Sequence, residues 1–153
     1  MLDTSVYEFL VLDRLDDLTK KIEEGKIIVY GCSIVRKELR ETSKSAKLKG
    51  KSFRNALLSA YDSATDKHSY PAESIVDFIA EEYWKEYEGG ISKRKFMNDF
   101  RIVALASIHN LDIIVSEDNH SMKSGMAIET YRKVNQRNGF RTPVFYSINQ
   151  LLI

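Results

Sequence analysis

The stretch from residue 98 to residue 119 constrains the fold more than any other part of the chain. Its first half repeats apolar residues every three or four positions, which predicts a helix with one buried face. Asn110 suits the left-handed end of that helix. Ile113 to Val115 then form an uninterrupted apolar run, as in a strand that is covered on both faces. A helix followed directly by a buried strand favours a parallel α/β arrangement.

Carboxylates mark both ends of this stretch. Asp99 stands at the predicted start of the helix, and Asp118 stands where the buried strand should end. The N-terminus repeats the pattern, because Leu2 leads directly into Asp3 and a hydroxyl residue, Thr4. In open parallel sheets, ligands bind beyond the carboxyl ends of the strands. Two acids at that rim, with a third delivered by a helix, therefore indicate a metal site.

Strands and helices are expected to alternate along the rest of the chain. Residues 6–24 have a helical pattern in two pieces, residues 26–31 form a second buried strand, and Ser33 caps the next helix. Residues 90–92 are the best candidate for a third strand, and residues 142–147, which contain a proline, suit an edge strand. Further helices are predicted over residues 53–65, between Pro71 and Gly89, and over residues 127–138. This alternation predicts a parallel sheet with right-handed crossovers.

The composition bounds the class of protein. With 153 residues, of which 43% are hydrophobic and 29% charged, the chain is expected to form a single globular domain over residues 1–153. Its only cysteine, Cys32, excludes an internal disulfide and favours a reducing compartment. The sequence contains neither a leader pattern nor a membrane-spanning stretch, so we expect a cytoplasmic protein.

The net charge of +1 conceals two regions of opposite sign. Residues 36–54 contain eight bases against two acids, whereas residues 73–88 contain six acids against one lysine. Within the basic region, residues 42–50 are expected to form a polar loop or a frayed helix end. Such a region is usually a solvated surface, but its position around Glu38 also suits contacts with phosphates. The candidate phosphate contacts are Arg36, Lys37, Arg40, Lys47, Lys49 and Lys51.

Four short segments, taken in order, resemble the PIN domain, the metal-dependent ribonuclease module of VapC-type toxins and many archaeal proteins. The segments are LDTS at residues 2–5, VRKELRE around Glu38, ND at residues 98–99, and SED ending at Asp118. The resemblance covers nearly the whole chain. It implies a three-layer α/β/α sandwich with a central, mainly parallel sheet.

The resemblance also implies a role for each matching residue. Asp3, Glu38, Asp99 and Asp118 are the expected catalytic acids, and the three aspartates among them are the expected metal ligands. Thr4 and Ser116 match supporting hydroxyl positions. Hard cations such as Mg²⁺ and Mn²⁺ prefer oxygen ligands, and they relieve the repulsion between clustered carboxylates. The expected reaction is the cleavage of RNA phosphodiester bonds, and the expected partners are RNA, a second copy of the chain and an antitoxin protein.

Each acid, taken alone, also has an ordinary structural explanation. Asp99 could interact only with a helix dipole, and Asp118 could belong only to a polar turn. Glu38 could be a solvated helix residue, and Glu41, one turn further on, competes with it for the catalytic position. Only the four acids together, in this order, favour a metal site.

Two other classes of protein fit parts of the pattern. The first is a catalytically inactive PIN-like module that binds RNA or assembles a complex, although such a module has no need to keep all four acids. The second is a phosphotransfer receiver domain, which shares the doubly wound topology. A receiver domain needs paired acids after its first strand and a lysine after its last, whereas this chain has a lone Asp3 and ends in TPVFYSINQLLI.

Overall fold

The computed structural model describes residues 1–153, which form a mixed α/β fold dominated by helices. The helices are α1 (Thr4–Phe9), α2 (Leu15–Glu23), α3 (Ser33–Arg40), α4 (Phe53–Thr65), α5 (Ser74–Glu86), α6 (Lys93–Ile108), α7 (Gly125–Asn138) and α8 (Ile148–Leu152). A π-helical turn, Leu10–Arg14, joins α1 to α2. The strands are β1 (Gly31–Cys32), β2 (Lys47–Leu48), β3 (Lys51–Ser52), β4 (Ser69–Tyr70), β5 (Ile113–Val115) and β6 (Val144–Tyr146).

The strands form three separate pairs. β1 pairs with β4 and β5 pairs with β6, both in parallel, whereas β2 and β3 form an antiparallel hairpin. Near the N-terminus, one parallel bridge joins Leu2 to Val115 of β5. The structure thus confirms a mixed α/β fold with parallel pairing, but it does not confirm a three-layer sandwich around one central sheet.

Two strand predictions are wrong. In the predicted strand at residues 26–31, only Gly31 enters a strand, and the side chain of Ile28 is 60% exposed. Residues 26–30 pair with no other strand, and the N-terminal segment makes its single bridge to Val115 instead. Residues 90–92 form no strand either, and the partner of β1 is instead Ser69–Tyr70. A two-residue strand is too short to show an alternating pattern in the sequence.

The basic region contains a hairpin where the sequence predicts a loop. β2 and β3 are connected by Lys49 and Gly50, whose φ angles are 49° and 78°. Two-residue hairpin turns of the favoured type require a positive φ at both central residues, which glycine adopts freely and lysine only with some strain. The hairpin therefore presents Lys47, Lys49 and Lys51 on a defined, exposed backbone.

Helix α6 runs through the centre of the core. Its residues 102–107 are all buried, and it packs along α5. The helix begins at Lys93, after Ser92, so Asp99 lies in its second turn and the prediction of a helix start at Asp99 is wrong. The buried Phe96 and Met97 extend the apolar face upstream of the predicted boundary. The predicted helix end is confirmed, since Asn110 has a φ of 55°.

The start of α3 also differs in detail from the prediction. Ser33 is the first helical residue rather than the cap, and the capping position is held by Cys32, which makes no side-chain capping bond to the backbone of the helix. Cys32 is fully buried, and this burial raises the pKa of its thiol. A buried thiol thus stands at the capping position where the sequence predicts a hydroxyl.

A neutral polar network joins α5, α6 and α7 inside the core. Tyr83 donates to Asn135 Oδ1 (2.6 Å), and the Asn135 amide donates to Ser107 Oγ (3.0 Å) and Thr142 Oγ1 (2.9 Å). Ser107 in turn donates to the carbonyl oxygen of Val103 (2.8 Å). Burial raises the pKa of Tyr83 to about 12, so the phenol remains neutral. These four side chains (Tyr83, Ser107, Asn135 and Thr142) are called the Asn135 network below.

None of the helices combines the length and the apolar composition needed to cross a membrane.

Candidate active site

Asp3 lies at the point where the N-terminal segment leaves β5. Its backbone N–H donates to Val115 O (2.9 Å), and its carboxylate caps the start of α1 by accepting from the N–H of Thr4 (2.7 Å). The same carboxylate accepts from the hydroxyls of Ser5 (2.9 Å) and Ser116 (3.0 Å). Burial raises the pKa of Asp3, although these hydrogen bonds oppose that effect. Three elements of the chain therefore hold this acid at one position.

Asp118 follows β5, as the sequence predicts, and it also closes a turn. Its Oδ1 accepts from the backbone N–H groups of His120 (3.0 Å) and Ser121 (2.9 Å), while its own N–H donates to Ser116 Oγ (3.0 Å). Burial alone would raise the pKa of Asp118, but the hydrogen bonds from Ser121 and His120 outweigh it and hold the pKa below its usual value. The ordinary turn role considered from the sequence is thus present together with a position at the strand end.

Asp99 reaches the same region from the second turn of α6. Ser121 Oγ lies 3.0 Å from Asp99 Oδ2 and is also hydrogen-bonded to Asp118 Oδ2. A serine hydroxyl carries one proton, so it can donate to only one of two carboxylates. Burial, and then the negative charge of Asp3, raise the pKa of Asp99 to about 7. Without metal, a protonated Asp99 can therefore donate to Ser121 Oγ while Ser121 donates to Asp118.

Glu38 is held by one donor on each of its two oxygens. The hydroxyl of Thr4 donates to Oε2, and the side-chain amide of Asn98 donates to Oε1 (2.8 Å). Burial raises the pKa of Glu38, and these two hydrogen bonds act in the opposite direction. Glu41, the competing candidate, is exposed and takes part in none of these contacts. The structure thus brings Glu38, and not Glu41, to the other acids.

The four expected acids belong to one chain of hydrogen bonds, and together they are called the acid cluster below. Thr4 connects Glu38 with Asp3, because its hydroxyl donates to one and its backbone N–H to the other. Ser116 connects Asp3 with Asp118, and Ser121 connects Asp118 with Asp99. The expected supporting residues, Thr4 and Ser116, are therefore both bridges between acids.

The oxygen atoms of the acid cluster are of the kind that binds a divalent cation. All of its side-chain contacts are made by hydroxyl, amide and backbone groups, and no lysine or arginine donates to any of the four carboxylates. Mg²⁺ and Mn²⁺ prefer oxygen ligands, and no cationic side chain competes with an ion for these oxygens. In the structure as it stands, no three aspartate, glutamate, histidine or cysteine side chains are arranged to hold one metal ion.

The candidate phosphate contacts separate into two groups. Arg36 is engaged in a two-pronged ion pair with Asp62 of α4, through Nε and Nη2 at 2.9 Å each. The other five form no side-chain hydrogen bond or ion pair within the chain and are exposed; they are Lys37, Arg40, Lys47, Lys49 and Lys51. Arg36 therefore connects α3 with α4, whereas the charges of the other five residues are available to an anionic ligand.

Among the residues that contact an acid on a different element of the chain, two were missed from the sequence, Ser121 and Asn98. Ser121 lies three residues after Asp118, a spacing typical of a side chain that caps a turn, but polar turns contain many serines without any function. Asn98 appears in the ND segment, yet only the position of α3 shows that its amide faces Glu38. Both residues bind acids from neighbouring elements, which a local pattern does not reveal.

No protein-family model matches the chain, and no curated protein or solved structure matches it significantly. The resemblance to PIN domains consequently rests on the residues of the chain itself.

Proposed function

We propose that this protein is a Mg²⁺- or Mn²⁺-dependent endoribonuclease of the PIN type. The observation that carries the proposal is the acid cluster, in which four carboxylates from separate elements are connected by hydroxyls with no cationic side chain among them. Such a cluster opposes folding through repulsion and desolvation unless a cation or bound protons neutralise it. Its position beside the end of β5 supports the proposal of metal-dependent phosphodiester cleavage.

Asp3, Asp99 and Asp118 are the proposed metal ligands. A Mg²⁺ or Mn²⁺ ion held by these residues would supply polarisation of the scissile phosphate and activation of a water molecule. Asp3 is held in place by Ser5 and Ser116, and Asp118 by the backbone of its turn. Asp99 must release its proton to serve as a ligand, and a pKa of about 7 places that release in the physiological range. The chain thus keeps two ligands fixed and one adjustable.

Glu38 is the proposed acceptor of the proton that the attacking water loses. Both of its oxygens already accept a hydrogen bond, so the carboxylate is oriented before substrate arrives. The free bases on α3 and on the hairpin would bind the RNA backbone, since each phosphate contact releases counterions and adds affinity. This assigns Lys37, Arg40, Lys47, Lys49 and Lys51 to substrate binding, and Arg36 only in part.

The remaining proposals follow from the resemblance to VapC-type toxins. A homodimer and an antitoxin protein are the proposed protein partners, and the exposed Phe9 and Leu12 supply apolar surface for one of them. The single cysteine supports a proposed cytoplasmic location.

A catalytically inactive module that binds RNA or assembles a complex is the second candidate. One observation favours it: Asp118 closes a turn, and Ser121 satisfies both Asp118 and Asp99 without any metal. On this reading the hydroxyls complete the structure, and the basic residues alone carry the function.

Cleavage of a single-stranded RNA by the purified protein separates the two candidates. We expect cleavage with Mg²⁺ or Mn²⁺, none in chelator, and a loss of at least about 100-fold in Asp99→Asn and Asp118→Asn, more than the loss of an outer partner usually causes. Glu41→Gln, one helical turn from Glu38, is the matched control and should retain full activity. Cleavage that persists in chelator contradicts the mechanism, and RNA binding without any cleavage favours the second candidate.

A further inference from the structure

A series of side-chain contacts extends outward from Glu38 to the surface of α5. The amide nitrogen of Asn98 donates to Glu38 Oε1 (2.8 Å), and Nη1 of Arg101 donates to Asn98 Oδ1 (3.0 Å). Nε of Arg101 donates to Asp77 Oδ1 (2.8 Å). All four side chains line one open cleft of about 350 Å³ between α3, the start of α5, and α6. The series therefore connects the proposed catalytic carboxylate of Glu38 with Arg101, although these two side chains make no direct contact.

The order of donors and acceptors in this series allows only one orientation of the Asn98 amide. A guanidinium has only donors, so the amide must present its oxygen to Arg101. Its nitrogen then faces Glu38, where a carboxylate needs a donor. With Arg101 absent, the amide could turn over and present its oxygen to Glu38, which would repel the carboxylate. Asp77 keeps the guanidinium from swinging away.

We propose that Arg101 is a positioning residue for Glu38, which it controls by fixing the orientation of the Asn98 amide. This role deepens the proposed nuclease function and rests on it. Partners outside the reacting shell orient catalytic ligands, and their loss commonly costs 10–100-fold in activity. Arg101 would thus affect the turnover of bound RNA rather than its affinity, although it is a cation beside the site.

The test compares kcat and KM for RNA cleavage in five proteins: the wild type, Arg101→Met, Asn98→Ala, the double variant and Arg141→Met. We expect each of the first two single variants to lower kcat by about 10–100-fold with little change in KM. The double variant should be no slower than Asn98→Ala, because Arg101 acts only through Asn98. Arg141 is the matched control, since it too donates to an asparagine and an aspartate, Asn110 and Asp112, at a place away from the acid cluster.

Two results would overturn the positioning role. One is a double variant in which the two losses multiply, and the other is an Arg101→Met variant whose KM rises while kcat is unchanged. The first result would show that Arg101 acts independently of Asn98, and the second that it contributes to RNA binding rather than to turnover.

A second measurement keeps this role separate from the nuclease proposal. The side-chain amide protons of Asn98, followed by NMR in protein without RNA or metal, should exchange with solvent faster in Arg101→Met and be unchanged in Arg141→Met. If the wild type cleaves no RNA but the amide responds in this way, the function fails and the fixed orientation stands. If the amide does not respond to Arg101→Met, the positioning role is overturned whatever the activity.

Discussion

The Asn135 network and the acid cluster are both polar groups held between helices, but they differ in charge and in closure. In the Asn135 network, neutral side chains donate to and accept from one another within the core. In the acid cluster, four carboxylates share a few hydroxyl and amide donors, and no cationic side chain joins them. A neutral, satisfied network stabilises and rigidifies a core, whereas clustered carboxylates oppose folding.

This difference separates a structural polar group from a functional one. The Asn135 network is explained by the fold, since it connects α5, α6 and α7 with no excess charge. The acid cluster is not explained by the fold, because neutral residues at the same positions would pack with less repulsion. Sites that violate the rules of stable folding are where function is expected.

The largest effect should be the pH dependence of stability that Asp99 contributes. The buried amino group of Met1, whose pKa is lowered to about 6, acts in the opposite direction above pH 6, so the contribution of Asp99 is measured against a variant that lacks it. The folded state raises the pKa of Asp99 from 3.8 to about 7, so between these values the folded chain holds a proton that the unfolded chain releases. The contribution of Asp99 to the free energy of unfolding therefore falls as the pH rises through this window, by about 4 kcal/mol for a shift of roughly three pKa units. In chelator, the melting temperature of the wild type relative to that of Asp99→Asn should therefore be lower by about 10 °C at pH 8 than at pH 4.

Thermal scans of the wild type and Asp99→Asn across this pH range measure that effect. The variant should lose most of the slope and should melt higher than the wild type at pH 8 in chelator. Asp16→Asn, at an exposed carboxylate without an ion-pair partner, is the control and should leave the slope unchanged. Equal slopes in the wild type and Asp99→Asn would show that Asp99 is not held as a protonated acid.

The next largest effect should come from a change in the Asn135 network. Asn135→Ala leaves the buried hydroxyl of Tyr83 with only a long contact to Ser107 Oγ (3.4 Å), and it removes the partner of the half-buried Thr142 hydroxyl. Such a loss costs about 3 kcal/mol, or a melting temperature lower by roughly 6–12 °C, at every pH between 5 and 8. Differential scanning calorimetry with and without Mn²⁺ should show the same stabilisation by metal as in the wild type. A variant that also loses the metal response would connect the two polar groups.

A smaller effect is expected for Asp118→Asn, which removes one charge at nearly constant shape. In chelator this variant should melt as high as the wild type or higher, because repulsion within the acid cluster is relieved. At a metal concentration about ten times the dissociation constant, the wild type should gain about 1.4 kcal/mol, or roughly 3–6 °C, and the variant little of it. If the variant melts lower in chelator and keeps the full metal shift, then Asp118 is only a turn cap.

The smallest effect on stability should follow from reversing the charges of the hairpin. Lys47, Lys49 and Lys51 are exposed, so replacing all three with glutamate should change the free energy of unfolding by less than about 1 kcal/mol, since surface changes are small and of either sign. The same change should weaken RNA binding and flatten its salt dependence by about two in the slope of log K against log salt. Fluorescence anisotropy at several salt concentrations measures this slope, and an unchanged value would leave these lysines as solvated surface.

The sequence predicted the placement of the acids better than the sheet that was expected to carry them. Asp3 and Asp118 were expected beside a buried strand, and β5 and its bridge to Leu2 hold both there. The hydrophobic run of β5 is a strong local signal. The predicted strand at residues 26–31 had a similar signal, but a strand also needs a neighbour of matching length, which a single segment does not encode.

The contacts within the acid cluster were less predictable than the acids. Asp99 was placed at a helix start, yet it lies in the second turn of α6, because Phe96 and Met97 extend the buried face upstream. The bridging role of Ser121 depends on a turn that brings it to α6 from 22 residues away in sequence. Residue types identified the chemistry, whereas the hydrogen-bond partners were set by tertiary packing.

Because Cys32 is buried, the reactivity of its thiol can be used to measure transient opening of the core. A thiol reacts with alkylating reagents as the exposed thiolate, and in the folded protein Cys32 is fully enclosed and its pKa is raised. Since no other cysteine is present, any labelling records an opening of the core around the start of α3. A dye attached through a new cysteine at an exposed hairpin position would then report on that position alone, without removal of the native thiol.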